Sequence, residues 1–380
     1  MKRILVIQLY RIGDVLQSFA VFRALRRDHP GAGLDLLADP VVAEAGGLCP
    51  DVDRVLLFPR PSIRRALLSE GDGPQALYLA SAALERLKAE RYDLVVNLHQ
   101  DLLGQRIAGA IGAARTLGQV LPPDGPRRLL GPGINGLLRG VADRRSHRTN
   151  LVDHLLAIAG TRSAGRGRLH LPKGARLRAE ELIEARLPGT GPLVAVQSGA
   201  SRPFRGLDPA WIGAVQARLP GARWAWLGSP AERPAIEARL ASGLQGICVA
   251  GDTGLADLAA LLARCDLVLS GDTAALHFAA LLGVPSVSAF FGTAQPFETG
   301  PYGSGHLCVY EPPDCAPCQH MDGCSEPVCR RGLPAGLLAD SCASVLGGGA
   351  PPPGVWRSRL DPGGLRWERT PAPGLASLAR

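Results

Sequence analysis

Short, almost continuous apolar runs alternate with stretches whose apolar residues recur every three or four positions. RILVIQL (3–9), LDLLAD (34–39), RVLLF (54–58) and DLVVNLH (93–99) read as strands buried on both faces, the mark of a parallel sheet covered by helices. After the turn at 10–13, Asp14 opens a helix whose apolar stripe is Val15, Phe19, Phe22 and Leu25, and His29-Pro30-Gly31 closes it. Residues 122–147, rich in Pro, Gly and Arg, interrupt the alternation, and a helix from Asn150 to Ala159 follows. A second series then begins. Its strands are PLVAVQSG (192–199), RWAWLG (223–228), GICVAG (246–251), DLVLSG (266–271) and PSVSAFFG (285–292), with helices over 209–219, 232–241, 255–264 and 273–282.

Two such series predict an α/β chain of two doubly wound, Rossmann-like domains facing a cleft. The expected boundaries are an N-terminal domain over 1–160, a polar, glycine-rich linker over 161–174 and a C-terminal domain over 175–307. A cysteine-rich appendage over 308–346 follows. From GGGAPPPG onward no periodicity is evident, so 347–380 is expected to be a disordered tail.

Composition narrows the function classes. The chain has 380 residues, 46% hydrophobic and 20% charged, which excludes intrinsic disorder for the bulk of it. No apolar run reaches the ~18 residues that span a bilayer, and Met1-Lys2-Arg3 leads into an apolar run too short for a signal peptide, so a cytoplasmic protein is expected. The net charge is +8, carried by arginine, since only Lys2, Lys88 and Lys173 are lysines. The arginine excess reads either as coding bias or as attraction to anionic partners. With no nucleic-acid-binding signature and few aromatics for base stacking, nucleic acid is not expected as a partner.

Four strand-to-helix loops carry candidate chemistry, because ligands of open α/β sheets sit beyond the carboxyl ends of the strands. Gly13-Asp14 follows the first strand, and Asp14 either caps its helix or faces the cleft. The loop lacks the G-x-G-x-x-G dinucleotide fingerprint. Ser198, Gly199 and Ser201, followed by Arg202 and Arg205, suit close backbone approach and bidentate phosphate binding. Glu232, after Gly228-Ser229, either holds a ribose or caps. Asp272 and Thr273 open a helix with His277 one turn in, where backbone N–H groups suit a phosphate. Nine cysteines and no secretory signal argue against a disulfide scaffold. Cys315, Cys318, Cys324 and Cys329 have metal-like spacing, with His320 as a spare ligand. Structural zinc, an iron–sulfur cluster and unmetallated thiols or a disulfide all remain open.

Together these segments resemble glycosyltransferase family 9, the heptosyltransferases of lipopolysaccharide core assembly, from Lys2 to about Gly303. The resemblance is carried by IGDVLQSFAVFRALR (12–26), DLVVNLH (93–99), Gly199-Ala200-Ser201, LAALLARCDLVLSGDTAALHFAALLGVP (258–285) and FGTAQPFETGPYG (291–303). It implies a GT-B fold, with an N-terminal acceptor domain and a C-terminal domain binding ADP-heptose. By position it makes Asp14 the catalytic base. Asp272, Thr273, Leu276 and His277 become the donor motif, Glu232 a nucleoside contact and Thr253 an adenine-side contact. Arg205 stands where the family usually has a phosphate-binding Lys, and Ala274 replaces a common Gly.

The implied reaction is inverting transfer of a heptose to a lipid-linked glycan hydroxyl, with no cofactor required. A nucleotide-sugar epimerase and a non-catalytic sugar-nucleotide or metal-binding protein are the alternatives. A membrane-anchored acceptor further implies peripheral docking on an anionic surface through Arg60, Arg64, Arg65, Arg127, Arg128, Arg139, Arg144, Arg145 and Arg148.

Overall fold

In a computed structural model the described residues are 1–9, 11–69, 71–318 and 324–371. They form two compact units. The first comprises Met1–Ala142 and Leu151–His170, and the second Asp143–Asn150 and Leu171–Arg380.

The first unit holds β1 (Arg3–Ile7), β2 (Gly33–Ala38), β3 (Arg54–Leu57), β4 (Leu94–Asn97), β5 (Arg115–Val120) and β6 (Arg128–Leu130). Its helices are α1 (Ile12–Asp28), α2 (Ala43–Gly47), α3 (Arg60–Leu68), α4 (Gly73–Ala89), α5 (Leu102–Ala110), α6 (Ile134–Ala142) and α7 (Leu151–Ile158). The sheet order is β3-β2-β1-β4-β5-β6, with only β6 antiparallel to its neighbour. Helices cover both faces, so Ile4, Leu5, Val6 and Ile7 are all fully buried and the strand shows no alternation.

The second unit holds β7 (Leu193–Gln197), β8 (Arg223–Trp226), β9 (Ile247–Cys248), β10 (Leu267–Ser270), β11 (Ser286–Ala289), β12 (Leu307–Val309), β13 (Trp356–Asp361) and β14 (Gly364–Arg369). Its helices are α8 (Lys173–Arg186), α9 (Pro209–Arg218), α10 (Arg233–Ala241), α11 (Leu255–Leu262), α12 (Ala274–Leu282), α13 (Pro296–Thr299), α14 (Val328–Arg331) and α15 (Ala335–Leu346). The order β14-β13-β12-β11-β10-β7-β8-β9 repeats the doubly wound plan of the first sheet and adds a hairpin at one edge. Trp224 and Trp226 fill the core between β8 and its covering helices.

In each unit the strand order reverses direction at one point, between β1 and β4 and between β7 and β10. The loops that leave these strand pairs part to opposite faces, which opens a crevice where open α/β sheets bind ligands. The candidate loops after β1, β7 and β10 all sit at such a point.

Three expectations are corrected. The first helix begins at Ile12, two residues before Asp14, because Arg11 adopts φ 67° and turns the chain early. The supposed disordered tail contains β13 and β14, paired from Trp356↔Arg369 to Asp361↔Gly364 and joined to β12 through Cys308↔Trp356. Trp356 packs edge-on to Phe297 at 4.8 Å and donates from Nε1 to Tyr310 O at 3.2 Å, so the hairpin is part of the fold. Residues 372–380 of that tail lie outside the described residues. Finally, within the stretch where the pattern breaks, β6 and α6 form.

Candidate active site

At the first switch point Asp14 is the third residue of α1, its N–H bonded to Arg11 O at 3.1 Å. Burial pushes its carboxyl up to about 6, with the Arg11 guanidinium opposing the shift. Arg11 is the distinctive residue of this turn. A non-glycine side chain at φ 67° is strained, and such strain concentrates at functional turns.

Beside this turn, at the end of β4, lies a buried polar group that the sequence did not single out. His99 Nδ1 is 3.1 Å from Gln8 Oε1, and its Nε2 is 3.0 Å from Asp101 Oδ1. Burial lowers the His99 pKa against the pull of Asp101. The signal was available, since polar Asn97 and His99 end an otherwise apolar strand at a switch point.

At the second switch point the loops after β7 and β10 lean on each other. Gly271 has no side chain, and a Cβ there would meet Arg205 O at 2.6 Å. That close approach lets the turn Pro203–Arg205 lie against the SGDT loop, where the Arg205 guanidinium pairs with the Asp272 carboxylate and reaches Asp272 O at 3.3 Å. Thr299 Oγ1 donates to the other carboxylate oxygen of Asp272 at 3.3 Å. Thr273 caps α12, its Oγ1 accepting from Ala275 N at 3.3 Å and lying 2.8 Å from Ser270 Oγ.

Ser198 is fully buried, its Oγ accepting from Arg239 Nη1 at 2.6 Å. A Cβ on Gly199 would overlap the Glu232 carboxylate, so a larger residue there would displace Glu232 from this position. Ser201 is exposed. Glu232 closes a capping box, accepting from Ser229 N and Ser229 Oγ at 2.8 Å each, and it also accepts from Gln197 Nε2 at 3.2 Å. Thr253 lies partly exposed just before α11. A cavity of about 240 Å³ is lined by Ser198, Gly199, Glu232, Arg239 and Arg330 among others.

Two residues of the donor motif are buried. Leu276 is fully buried and packs with Phe290, Phe297 and Tyr310, so its side chain belongs to the core. His277 is also buried, which pushes its imidazole down to about 4 and keeps it neutral near pH 7. Below pH 6.5 the unfolded chain takes up a proton that the native His277 refuses. Stability from this group is therefore complete above 6.5 and falls by about 3 kcal/mol down to pH 4. Asp14 acts in the opposite sense over almost the same window, because its raised pKa favours the native state as pH falls. The check is thus a difference: His277→Gln should lose less stability than the parent between pH 7 and 4.5 in urea titrations. Equal losses would overturn it.

Among the described residues no three His, Cys, Asp or Glu side chains come together as a ligand set. Cys318 and Cys329 both abut Gly292, while Cys315 and Cys324 are exposed, and His320 lies outside the described residues. Cys318 and Cys329 thus come together at Gly292. Part of the basic set is occupied. Arg144 is held by Glu298 at 2.5 and 2.7 Å and by Thr293 O at 3.0 Å, Arg145 by Asp314 O, and Arg148 lies 4.3 Å from the Phe297 ring centre. Arg60 pairs with Asp39 at 2.6 Å.

Residues 186–328 match the model of glycosyltransferase family 9 (heptosyltransferase), and this segment contains every donor-side candidate above. Over that segment the chain is similar to glycosyltransferase family 9. It is 27% identical over 328 residues to lipopolysaccharide heptosyltransferase 1 of Pseudomonas aeruginosa, covering 83% of this chain and 86% of that one. Two solved structures share its fold. One is the E. coli ADP-heptose heptosyltransferase II, with TM-score 0.66, 16% identity, and coverage of 92% of this chain and 99% of that one. The other is a family 9 glycosyltransferase from Veillonella parvula, with TM-score 0.64, 19% identity, and coverage of 81% and 85%. The fold is thus GT-B, and the chain is a glycosyltransferase.

Proposed function

We propose that this enzyme transfers a heptose from ADP-heptose, with inversion, to a hydroxyl of a lipopolysaccharide-core-type acceptor. The observation that carries the reading is the Arg205–Asp272 pair at the start of α12, in the crevice of the second sheet. A cation and a helix N-terminus together suit a nucleoside diphosphate leaving group. The curated relative's name supports heptose as the sugar and lipopolysaccharide as the pathway. Asp14, its carboxyl tuned to about 6, takes the proton from the acceptor hydroxyl as that oxygen attacks the anomeric carbon. The C–O bond to the diphosphate breaks, and ADP leaves with the electron pair, its charge stabilised by Arg205 and the α12 dipole. Gly199 admits the donor close to the β7 loop. Glu232, already accepting from Ser229, offers the ribose an anchored carboxylate. Thr253 and the neutral His277 complete the donor side.

A thermal-shift panel of nucleotide sugars tests the assignment. ADP-heptose at a hundredfold its Kd adds about 2.7 kcal/mol to stability by mass action, so it should raise the melting temperature more than UDP- or GDP-sugars do. A preference for UDP-sugars would sink the heptose assignment.

With that acceptor, the proposed reaction belongs in the cytoplasm, at the inner face of the membrane. No helix among the described residues is long and apolar enough to cross one. Arg64, Arg127, Arg128 and Arg139 are exposed on the first unit, as are Leu67, Leu68 and Val141. Each cation near an anionic surface contributes about 1 kcal/mol, screened by salt. Co-sedimentation with anionic vesicles at low salt is expected, lost in high salt and weakened by Arg→Gln changes at 64, 127, 128 and 139. Equal sedimentation with neutral vesicles would rule this docking out.

A further inference from the structure

Arg330 lies outside the family match, in α14 of the cysteine-rich appendage. Its guanidinium is only 19% exposed and is aimed away from the appendage. Nη1 donates to Phe204 O at 2.7 Å and to Gly206 O at 2.6 Å, the two carbonyls on either side of Arg205. The same guanidinium sits 4.9 Å from the Trp211 ring centre and 5.1 Å from that of Phe291, two rings stacked on each other at 5.4 Å. Trp211 belongs to α9 and Phe291 follows β11, so the residue is held between a helix and a strand-end loop while it grips the 204–206 turn. Next to it, Cys329 seats the appendage against Gly292.

We infer that Arg330 is a positioning residue for the sugar-nucleotide donor, holding the 204–206 backbone so that Arg205 is presented over Asp272. This rests on the proposed role of Arg205 at the diphosphate. The physical case is geometric. A guanidinium has several donors in one plane and stacks on aromatic faces, whereas a lysine offers a single ammonium and no plane. Charge alone therefore does not reproduce the clamp. The appendage in this way supplies hydrogen-bond donors to the carbonyls of Phe204 and Gly206 from beyond the 186–328 match.

Two measurements on the full-length chain test this. The first needs no donor. Arg205 N–H bonds Arg202 O at 2.9 Å and Leu207 N–H bonds Ser198 O at 2.8 Å, so hydrogen exchange at these amides reports the loop. In Arg330→Lys and Arg330→Ala both should exchange about tenfold faster, as expected for losing a charged hydrogen bond, while β10 amides keep their rates. Unchanged exchange, or a rise spread over the whole sheet, would overturn the inference. The second is kinetic. Both variants should lower kcat/KM for ADP-heptose about tenfold, less than Arg205→Ala does. In an Arg205→Ala background, Arg330→Ala should weaken ADP binding by less than about twofold, because the two act as one unit. Additive losses, or full rescue by lysine, would overturn it. If the parent enzyme does not use ADP-heptose, the functional reading falls, and the exchange experiment still decides whether Arg330 holds the loop.

Discussion

Asp14→Asn should reduce turnover by about 10²–10⁴-fold, the range for removing a positioned general base, while ADP binds as before. Asparagine keeps the shape and loses the proton-accepting charge. The half-buried carboxyl has its pKa raised to about 6, so the parent enzyme's rate should fall on the acid side with a midpoint near pH 6. The variant's residual rate should lack that limb. The same shift carries a stability cost that builds between pH 3.8 and about 6 and is complete above it, because the unfolded chain ionises this carboxyl before the native state does. Asp14→Asn should therefore be more stable than the parent at pH 7, by up to about 3 kcal/mol. An inactive variant with a higher melting temperature separates loss of chemistry from loss of folding. Turnover within a few-fold of the parent would remove Asp14 from the mechanism.

Arg205→Ala should lower the transfer rate by about 10²–10³-fold, the scale for losing one preorganised charge-stabilising group. Its partner Asp272 is mostly buried, with 11% of its side chain exposed. Removing the cation leaves that carboxylate where the diphosphate is to sit, so repulsion adds to the lost attraction. The double variant Arg205→Ala/Asp272→Asn should bind ADP better than Arg205→Ala alone. Calorimetry with ADP reads both. Undiminished ADP affinity in Arg205→Ala would exclude the guanidinium as the diphosphate contact.

The two βα series, the buried strands and the loops that carry Asp14, Arg205 and Asp272 were legible along the chain. Strands covered on both faces have to be apolar, and helices on a sheet have to repeat at 3.6 residues, so burial writes itself into local pattern. The hairpin β13–β14 left its own signal, Trp356 and Trp367 flanking Asp361-Pro362-Gly363-Gly364, but a proline-rich stretch upstream hid it. What tertiary structure alone decided is which side chains meet. Leu276 sits in the middle of the donor motif, yet faces the core because α12 must bury a stripe against β10 and β11. Arg144 reads as a surface cation and instead grips Glu298, a residue 154 positions away. Arg330 meets the carbonyls beside Arg205 across more than a hundred residues, and no local pattern encodes a contact between a turn and an appendage. Periodicity records how deeply a residue is buried. Partners separated by whole domains are set by how the sheets and their insertions pack.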